Sequence, residues 1–182
     1  KTAYEISTRD WSFRRVLFRS TTFATIANTT NALYYSNLTT TTIYRALVQN
    51  GFCASAYSGY LTITVNAPSV AGTIQGASTL CTGTNSDTLT LTGQTGSVVK
   101  WQYSTNGSAW TDIVNGTATL YIGNLTASTL YRAVVQNGVC ASVTSDTVRE
   151  WVSPLSVGGA VNSDATVCSG TNSGTLTLSG NT

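Results

Sequence analysis

The feature that most constrains this chain is a tandem repeat with a period of 87 residues. Residues 120–142 read LYIGNLTASTLYRAVVQNGVCAS and residues 33–55 read LYYSNLTTTTIYRALVQNGFCAS, so that 16 of 23 aligned positions are identical without a gap. Further along, CSGTNSGTLTLSG from Cys168 matches CTGTNSDTLTLTG from Cys81 at 10 of 13 positions. Repeats of this length are whole domains, because the turns of a solenoid take only about 20–50 residues each.

The period predicts the domain organisation. Residues 21–69 are the C-terminal part of one repeat, residues 70–156 form a complete repeat, and residues 157–182 are the N-terminal part of a further repeat. Pro68 and Pro154 lie near the two joints, where linkers are expected.

Residues 1–20 follow neither the repeat nor its composition. They read KTAYEISTRDWSFRRVLFRS, which resembles translated sequencing-adapter DNA, so we interpret them as a non-native artefact and leave them out of the fold prediction. They hold five basic and two acidic side chains, net +3, so the whole-chain charge of +2 leaves −1 for residues 21–182. The basic balance therefore does not indicate a nucleic-acid partner.

The best-matched stretch alternates with a period of two, which is typical of a strand. Tyr131, Ala133 and Val135 lie on one face, and Tyr44 lies on the same face in the first copy. Arg132 falls on the other face, where a guanidinium remains hydrated.

Asn-Gly pairs follow this strand in both copies, at Asn137-Gly138 and at Asn50-Gly51. Between two β-rich runs this dipeptide predicts a type I′ hairpin turn, which needs positive φ at both central residues.

We predict about seven short strands in the complete repeat. They are Ser78–Cys81, Thr88–Gly93, Val98–Ser104, Trp110–Val114, Thr119–Ile122, Thr129–Gln136 and Val139–Val148. In the third of them, alternation places Val99, Trp101 and Tyr103 on one face. Short strands at regular spacing with turn signals between them predict an all-β sandwich.

A family resemblance adds to this prediction. The pattern C-x-G…TLTL…WQ-S-NG-W…NLT…YRAVVQNG-C-S, over residues 21–182, resembles the tandem immunoglobulin-like repeats of large secreted or surface adhesin-like proteins of Bacteroidota. The spacing of Leu125, Thr129 and Tyr131 is similar to the tyrosine corner of fibronectin type III and immunoglobulin-like sandwiches. The resemblance implies Greek-key sandwiches, a core role for Trp101 and Tyr131, and an extracellular location.

The chain has four cysteines, which allow three pairings, and only Cys81 and Cys140 lie within one complete repeat. In the topology that the resemblance implies, the first and last strands run parallel, so these two cysteines would share one end of the sandwich. We expect a structural disulfide between them, typical of an oxidising compartment, and we expect Cys53 and Cys168 to have lost their partners. The alternatives are a metal site, for which there is neither a CxxC motif nor a histidine, and a catalytic thiol, which would lack an activating histidine.

The remaining candidates for chemistry are aromatic and acidic. Trp110 and Tyr121 are candidate ligand-facing aromatics that could stack on a sugar, although Phe23 replaces Trp110 in the first copy. The acids do not repeat either, because Asp87 aligns with Gly174 and Glu150 with Ile63. A tandem enzyme should keep its catalytic carboxylates in every copy. We therefore expect neither catalysis nor a cofactor or metal.

The function expected from the sequence is therefore a non-enzymatic, disulfide-stapled spacer or adhesive module of a secreted or cell-surface protein. Its expected partners are neighbouring repeats of the same chain and, for an adhesive tip, glycans or host-surface ligands, with neither nucleic-acid binding nor membrane insertion. The alternatives are a carbohydrate-binding sandwich module and an accessory domain of a secreted hydrolase.

Overall fold

The computed structural model describes residues 2–8, 12–13, 16–17, 23–28, 30–50 and 52–182, and it describes side chains from residue 23 onward. It divides into two compact units: Lys1–Pro68 with Gly138–Cys140, and Ser69–Asn137 with Ala141–Thr182. Across the described residues the chain forms strands, turns and loops without a helix, so the all-β prediction is confirmed.

The first unit contains one mixed seven-stranded sheet. Its strands are β1 (Thr2–Thr8), β2 (Ser12–Phe13), β3 (Val16–Leu17), β4 (Ala24–Ala27), β5 (Thr42–Val48), β6 (Ala56–Tyr57) and β7 (Leu61–Ile63). Strand β5 pairs antiparallel with β6 and β7 and parallel with β1.

The second unit contains the complete repeat and the opening of the third. Its strands are β8 (Thr73–Gln75), β9 (Thr79–Cys81), β10 (Ser86–Thr92), β11 (Ser97–Ser104), β12 (Thr111–Ile113), β13 (Thr119–Gly123), β14 (Thr129–Gln136), β15 (Val143–Thr144), β16 (Val148–Ser153), β17 (Gly158–Asn162) and β18 (Thr177–Asn181).

The complete repeat is a two-sheet sandwich. One sheet has the order β13-β10-β8, and the other has the order β12-β11-β14-β16-β9 with β15 beside β14. Strand β9 lies parallel to β16, with Thr79 opposite Trp151 and Cys81 opposite Ser153. Each inner face contributes apolar side chains at alternate positions, as strand geometry requires.

The core of the sandwich is one cluster that joins both sheets. Its buried members are Ile74, Leu89, Leu91 and Leu120 from the smaller sheet and Val98, Trp101, Tyr131, Ala133 and Val135 from the larger one. Trp101 is fully buried, and its indole N–H donates to the Thr117 carbonyl at 2.9 Å. This bond satisfies the one polar atom that the side chain brings into the core.

The 87-residue period reappears as strand register. Thr129 lies opposite Glu150 and Val135 opposite Val143 in the complete repeat, and the corresponding pairs of the first repeat are Thr42–Ile63 and Val48–Ala56. In the third repeat the hairpin β17–β18 repeats the register of β8 with β10.

Two local predictions are wrong. The predicted final strand, Val139–Val148, is replaced by a loop over residues 137–142 followed by β15 and β16. The Asn137-Gly138 pair therefore does not form a two-residue type I′ turn: Gly138 has φ +55°, but Asn137 is not among the residues with positive φ. In the first copy Gly51 lies outside the described residues, and the Cys53 amide donates to the Asn50 carbonyl at 3.1 Å.

The predicted faces of β11 also need correction. A β-bulge lies between Val98 and Lys100, so Val98 is buried and Val99 points outward, about half exposed. An extra residue in one strand reverses the alternation on either side of it. Sequence alternation placed Val99 beside Trp101 because it assumed an unbroken pleat.

Candidate functional site

The outer face of the larger sheet carries a cluster of polar and aromatic side chains, which we call the arginine–aromatic face. It consists of Lys100, Gln102, Trp110, Asp112 and Arg132. Strand register brings these residues together, because Gln102 lies opposite Asp112 on one neighbouring strand and opposite Arg132 on the other.

The centre of this face is a cation–π contact. The Arg132 Cζ lies 3.9 Å from the centroid of the Trp110 ring, and the Arg132 Nε–H donates to Gln102 Oε1 at 2.7 Å. Gln102 Nε2 in turn donates to Asp112 Oδ1 at 2.6 Å. A guanidinium held over an indole at such a distance is a recognised stabilising pair, so Trp110 is engaged by its own chain.

Asp112 completes the network. Lys100 Nζ donates to Asp112 Oδ2 at 2.7 Å in an ion pair whose side chains are 35% and 52% exposed. Hydrogen bonds from Gln102 first, and then from Lys100, hold the pKa of the Asp112 carboxyl below its ordinary value. Each oxygen of the carboxylate therefore accepts one hydrogen bond from a protein donor.

The first repeat builds a related cluster around Arg45, the counterpart of Arg132. The Arg45 Cζ lies 3.5 Å from the Phe23 ring centroid and 3.9 Å from that of Tyr57. Phe23 and Tyr60 stack with their centroids 5.8 Å apart. The recurring element is a guanidinium over an aromatic ring, while the ring itself changes from indole to phenyl.

Trp110 and Tyr121 do not form a shared platform. Trp110 lies directly before β12 at the edge of the larger sheet, whereas Tyr121 belongs to β13 of the smaller sheet and is 79% exposed. A flat sugar-binding surface needs rings side by side on one face. Tyr121 instead borders an open groove of about 300 Å³ with Tyr103 and Tyr131.

Two carboxylates do approach one another, through Ser78. The Ser78 amide donates to Glu150 Oε2 at 3.1 Å and its hydroxyl donates to Asp87 Oδ2 at 2.5 Å. Burial raises the pKa of the Glu150 carboxyl, the Ser78 hydrogen bond lowers it, and the nearby Asp87 charge raises it. Glu150 is fully enclosed by protein, and its Oε1 accepts no hydrogen bond from the described residues.

The residues predicted for the core occupy it in both copies. Tyr131 and Tyr44 are buried. Burial first, with the charges of Glu150 and Tyr103, raises the pKa of the Tyr131 hydroxyl to about 12. The phenol therefore stays protonated and neutral inside the sandwich at physiological pH.

The predicted disulfide is wrong. All four cysteines are among the described residues, and no disulfide bond joins any two of them. Cys81 lies at the end of β9 that faces Ser153, whereas Cys140 follows β14 at its far end. Because Thr129 to Val135 spans about 20 Å of strand, the two cysteines sit at opposite ends of the sandwich, far beyond the roughly 5.5–6 Å Cα separation of a disulfide.

Sequence reasoning missed Asn85, whose side chain ties two loops together. Asn85 Nδ2 donates to the Cys81 carbonyl at 2.7 Å and to the Leu125 carbonyl at 2.8 Å, and Asn85 Oδ1 accepts from the Leu125 amide at 2.9 Å. Asn172 repeats the first of these bonds, to Cys168. The signal was present, because GTNS recurs at residues 83–86 and 170–173.

In the described part of the chain, no helix has the length and hydrophobicity of a membrane span. Among the same residues, no three acidic or cysteine side chains are grouped to hold a metal ion.

Comparison with known proteins places the chain in a family. The family model DUF8696, a domain of unknown function, matches residues 18–67 and again residues 70–154. The chain belongs to the DUF8696 family. The two matches follow the first and the complete repeat, so one DUF8696 repeat corresponds to one copy of the 87-residue period. No curated protein matches this chain.

Proposed function

We propose that the DUF8696 repeats of this chain form a non-enzymatic spacer in a large extracellular or cell-surface protein, where they hold a distant part of that protein away from its anchor. Tandem modules with equivalent strand register support this proposal, because modules that contact mainly their neighbours build elongated arrays.

The observation that carries the proposal is the parallel pairing of β9 with β16. These strands lie near the two ends of the complete repeat, so tension along the chain pulls them in opposite directions along their axes. Their hydrogen bonds then share the load instead of opening one after another. The Trp151 amide donates to the Ser78 carbonyl at 3.1 Å and the Thr82 amide to the Ser153 carbonyl at 2.9 Å.

Stretching the full chain between its ends in a single-molecule force experiment tests this function. We expect one abrupt unfolding event that releases residues 79–153, roughly 250 Å of extended chain. Trp151→Pro removes the amide that donates to Ser78 and should lower the unfolding force. Trp151→Ala keeps that amide at the same exposed position and serves as the matched control.

Two results would contradict the spacer function. One is a complete repeat that extends without a force peak, and the other is equal unfolding force in the proline and alanine variants. A glycan array probed with the full chain addresses the carbohydrate-binding alternative: saturable binding that Tyr121→Ala abolishes would replace the spacer with a lectin-like function.

A further inference from the structure

The loop that carries Cys140 is hydrogen-bonded to residues 66–69, which precede the complete repeat and which we call the link. The Ser69 hydroxyl accepts a hydrogen bond from the Asn137 amide at 2.9 Å and donates to the Ala141 carbonyl at 2.7 Å. Both ends of the loop are therefore held by one side chain of the link.

Cys140 itself lies against the same link. Its Sγ is 3.3 Å from the Ala67 carbonyl oxygen and 3.7 Å from the Asn66 carbonyl oxygen, within the compact unit that groups Gly138–Cys140 with the residues up to Pro68. Packing is tight here, because a Cβ at Gly138 would collide with the Asn66 side-chain amide. The acceptors are backbone carbonyls, which any residue in the link supplies.

At the other end of the complete repeat, Cys81 is paired with Ser153, the residue that corresponds to Asn66. It is exposed and lies directly opposite Ser153 in the parallel pair of β9 and β16. Neighbouring strands are about 4.8 Å apart, so the Cys81 backbone is one strand spacing from Ser153.

The period makes these two places equivalent. Ser153 is the counterpart of Asn66, and Ser156 is the counterpart of Ser69. Ser153 therefore has Cys81 of its own repeat beside it. By the same equivalence, the counterpart of Cys140 in the following repeat would lie against the Ser153 carbonyl. We propose that disulfides in DUF8696 arrays run between consecutive repeats, from the Cys81 position of one repeat to the Cys140 position of the next.

This arrangement explains why no disulfide bond joins any two of the four cysteines of this chain. The two positions are 59 residues apart within a repeat, and the 87-residue period makes the proposed pair 146 residues apart. No two of the four cysteines have that separation. The proposal deepens the proposed spacer function and rests on it only in requiring consecutive copies in one polypeptide.

The chemistry needs an oxidant, which oxidised glutathione or the disulfide of a thiol oxidoreductase supplies. One cysteine thiolate attacks the glutathione disulfide and releases one glutathione thiol. The second cysteine then attacks the mixed disulfide and releases the other. The glutathione S–S bond breaks in the first step, and the protein Sγ–Sγ bond forms in the second as the mixed disulfide breaks. The two electrons and two protons leave on two glutathione molecules.

The test lengthens the full chain at Thr182 with a second copy of residues 96–156. Thr182 corresponds to Thr95, so this addition completes the third repeat in register. Cys53 and Cys168 are changed to serine throughout. In the first variant Cys140→Ser leaves Cys81 and the appended cysteine as the only thiols. In the matched second variant the appended cysteine is serine, leaving Cys81 and Cys140.

After equilibration with a glutathione redox buffer, intact mass counts the bonded thiols, and far-UV circular dichroism confirms that both variants fold alike. We expect the first variant to lose two hydrogen atoms and its alkylation by iodoacetamide to fall at least about tenfold, with the second variant unchanged. Equal bonding in the two variants, or two thiols remaining in the first, would overturn the proposal. Because this readout needs no applied force, its failure is distinct from failure of the spacer function.

Discussion

The complete repeat and the first repeat share strand register but differ in burial. Val135 is fully buried in the complete repeat, whereas its counterpart Val48 is 39% exposed. Ala133 is likewise fully buried and Ala46 only partly. Register is set locally by the alternation of side chains and by the loop, but burial requires the opposing sheet, whose strands β8 and β10 belong to the complete repeat.

The formation of two strands, β13 and β9, also depends on a partner that is distant in the sequence. Residues 32–36 correspond to β13 and residues 166–168 to β9, yet neither segment forms a strand. In the complete repeat, β13 pairs with β10 and β9 pairs with β16. The hairpin β17–β18 forms because both of its strands are present in the third repeat. These segments therefore form strands only where the partner strand is also present.

Removing the core tryptophan should produce the largest difference in hydrogen-exchange protection between the two copies. Trp101→Ala is expected to cost about 3–5 kcal/mol, because it empties a fully enclosed site between the sheets. Hydrogen exchange should show lost protection in residues 129–136 and retained protection in residues 42–48, since the core around Trp101 belongs to the second unit. Trp151→Ala, at a position 57% exposed, is the control. Equal loss of protection in both segments would show that the core around Trp101 stabilises the first repeat as well.

The Asn85 clamp gives a smaller, position-specific effect. Asn85→Ala removes three side-chain hydrogen bonds to Cys81 and Leu125 and should cost about 1–3 kcal/mol. Asn172→Ala, in the exposed counterpart, should change the free energy of unfolding measured by urea denaturation by less than about 0.5 kcal/mol. Similar midpoints for the two variants would show that the clamp stabilises the sandwich no more than it does the isolated hairpin.

Glu150 predicts a pH dependence that the first repeat, with Ile63 in its place, lacks. Burial raises the folded-state pKa of the carboxyl, so below the ordinary value of about 4.3 both states are protonated and the repeat keeps its full stability. As pH rises above that value the unfolded state ionises first, and stability falls by up to about 1.4 kcal/mol per pH unit until the folded carboxyl also ionises.

Glu150→Gln should flatten this fall while keeping an acceptor for the Ser78 amide. Urea titrations between pH 4 and pH 8 measure the slope for both proteins. A wild-type slope that matches the Gln variant, or stability that rises with pH through Glu150, would contradict the assignment.

The smallest effect is expected on the arginine–aromatic face. Arg132→Ala should cost about 0.5–1 kcal/mol through loss of the Trp110 contact and should shift Trp110 fluorescence. Lys100→Ala breaks only the exposed pair with Asp112 and should cost less than Arg132→Ala, because exposed ion pairs contribute little to stability. The reverse order would show that the ion pair, and not the stacked guanidinium, stabilises this face.

Much of the sandwich was predictable because its signals are local. The strand Thr129–Gln136 was predicted with its observed bounds, and Trp101 was expected inside, since alternation and side-chain size act over a few residues. The bulge at Val98–Lys100 was not predictable. The recurring GTNS marks Asn85 as a repeated feature but does not identify its bonding partner Leu125, which lies 40 residues away in the sequence.

The sequence by itself determined the period, the all-β class and the alternating faces, because identity between copies and side-chain alternation can be read along the chain. Only the tertiary structure decided where the cysteines lie. The expected parallel pairing of first and last strands is present, but Cys81 ends its strand while Cys140 precedes β15 and β16. Which end of a sandwich a residue reaches depends on where each strand begins and ends, and these bounds are set by pairing between segments distant in sequence.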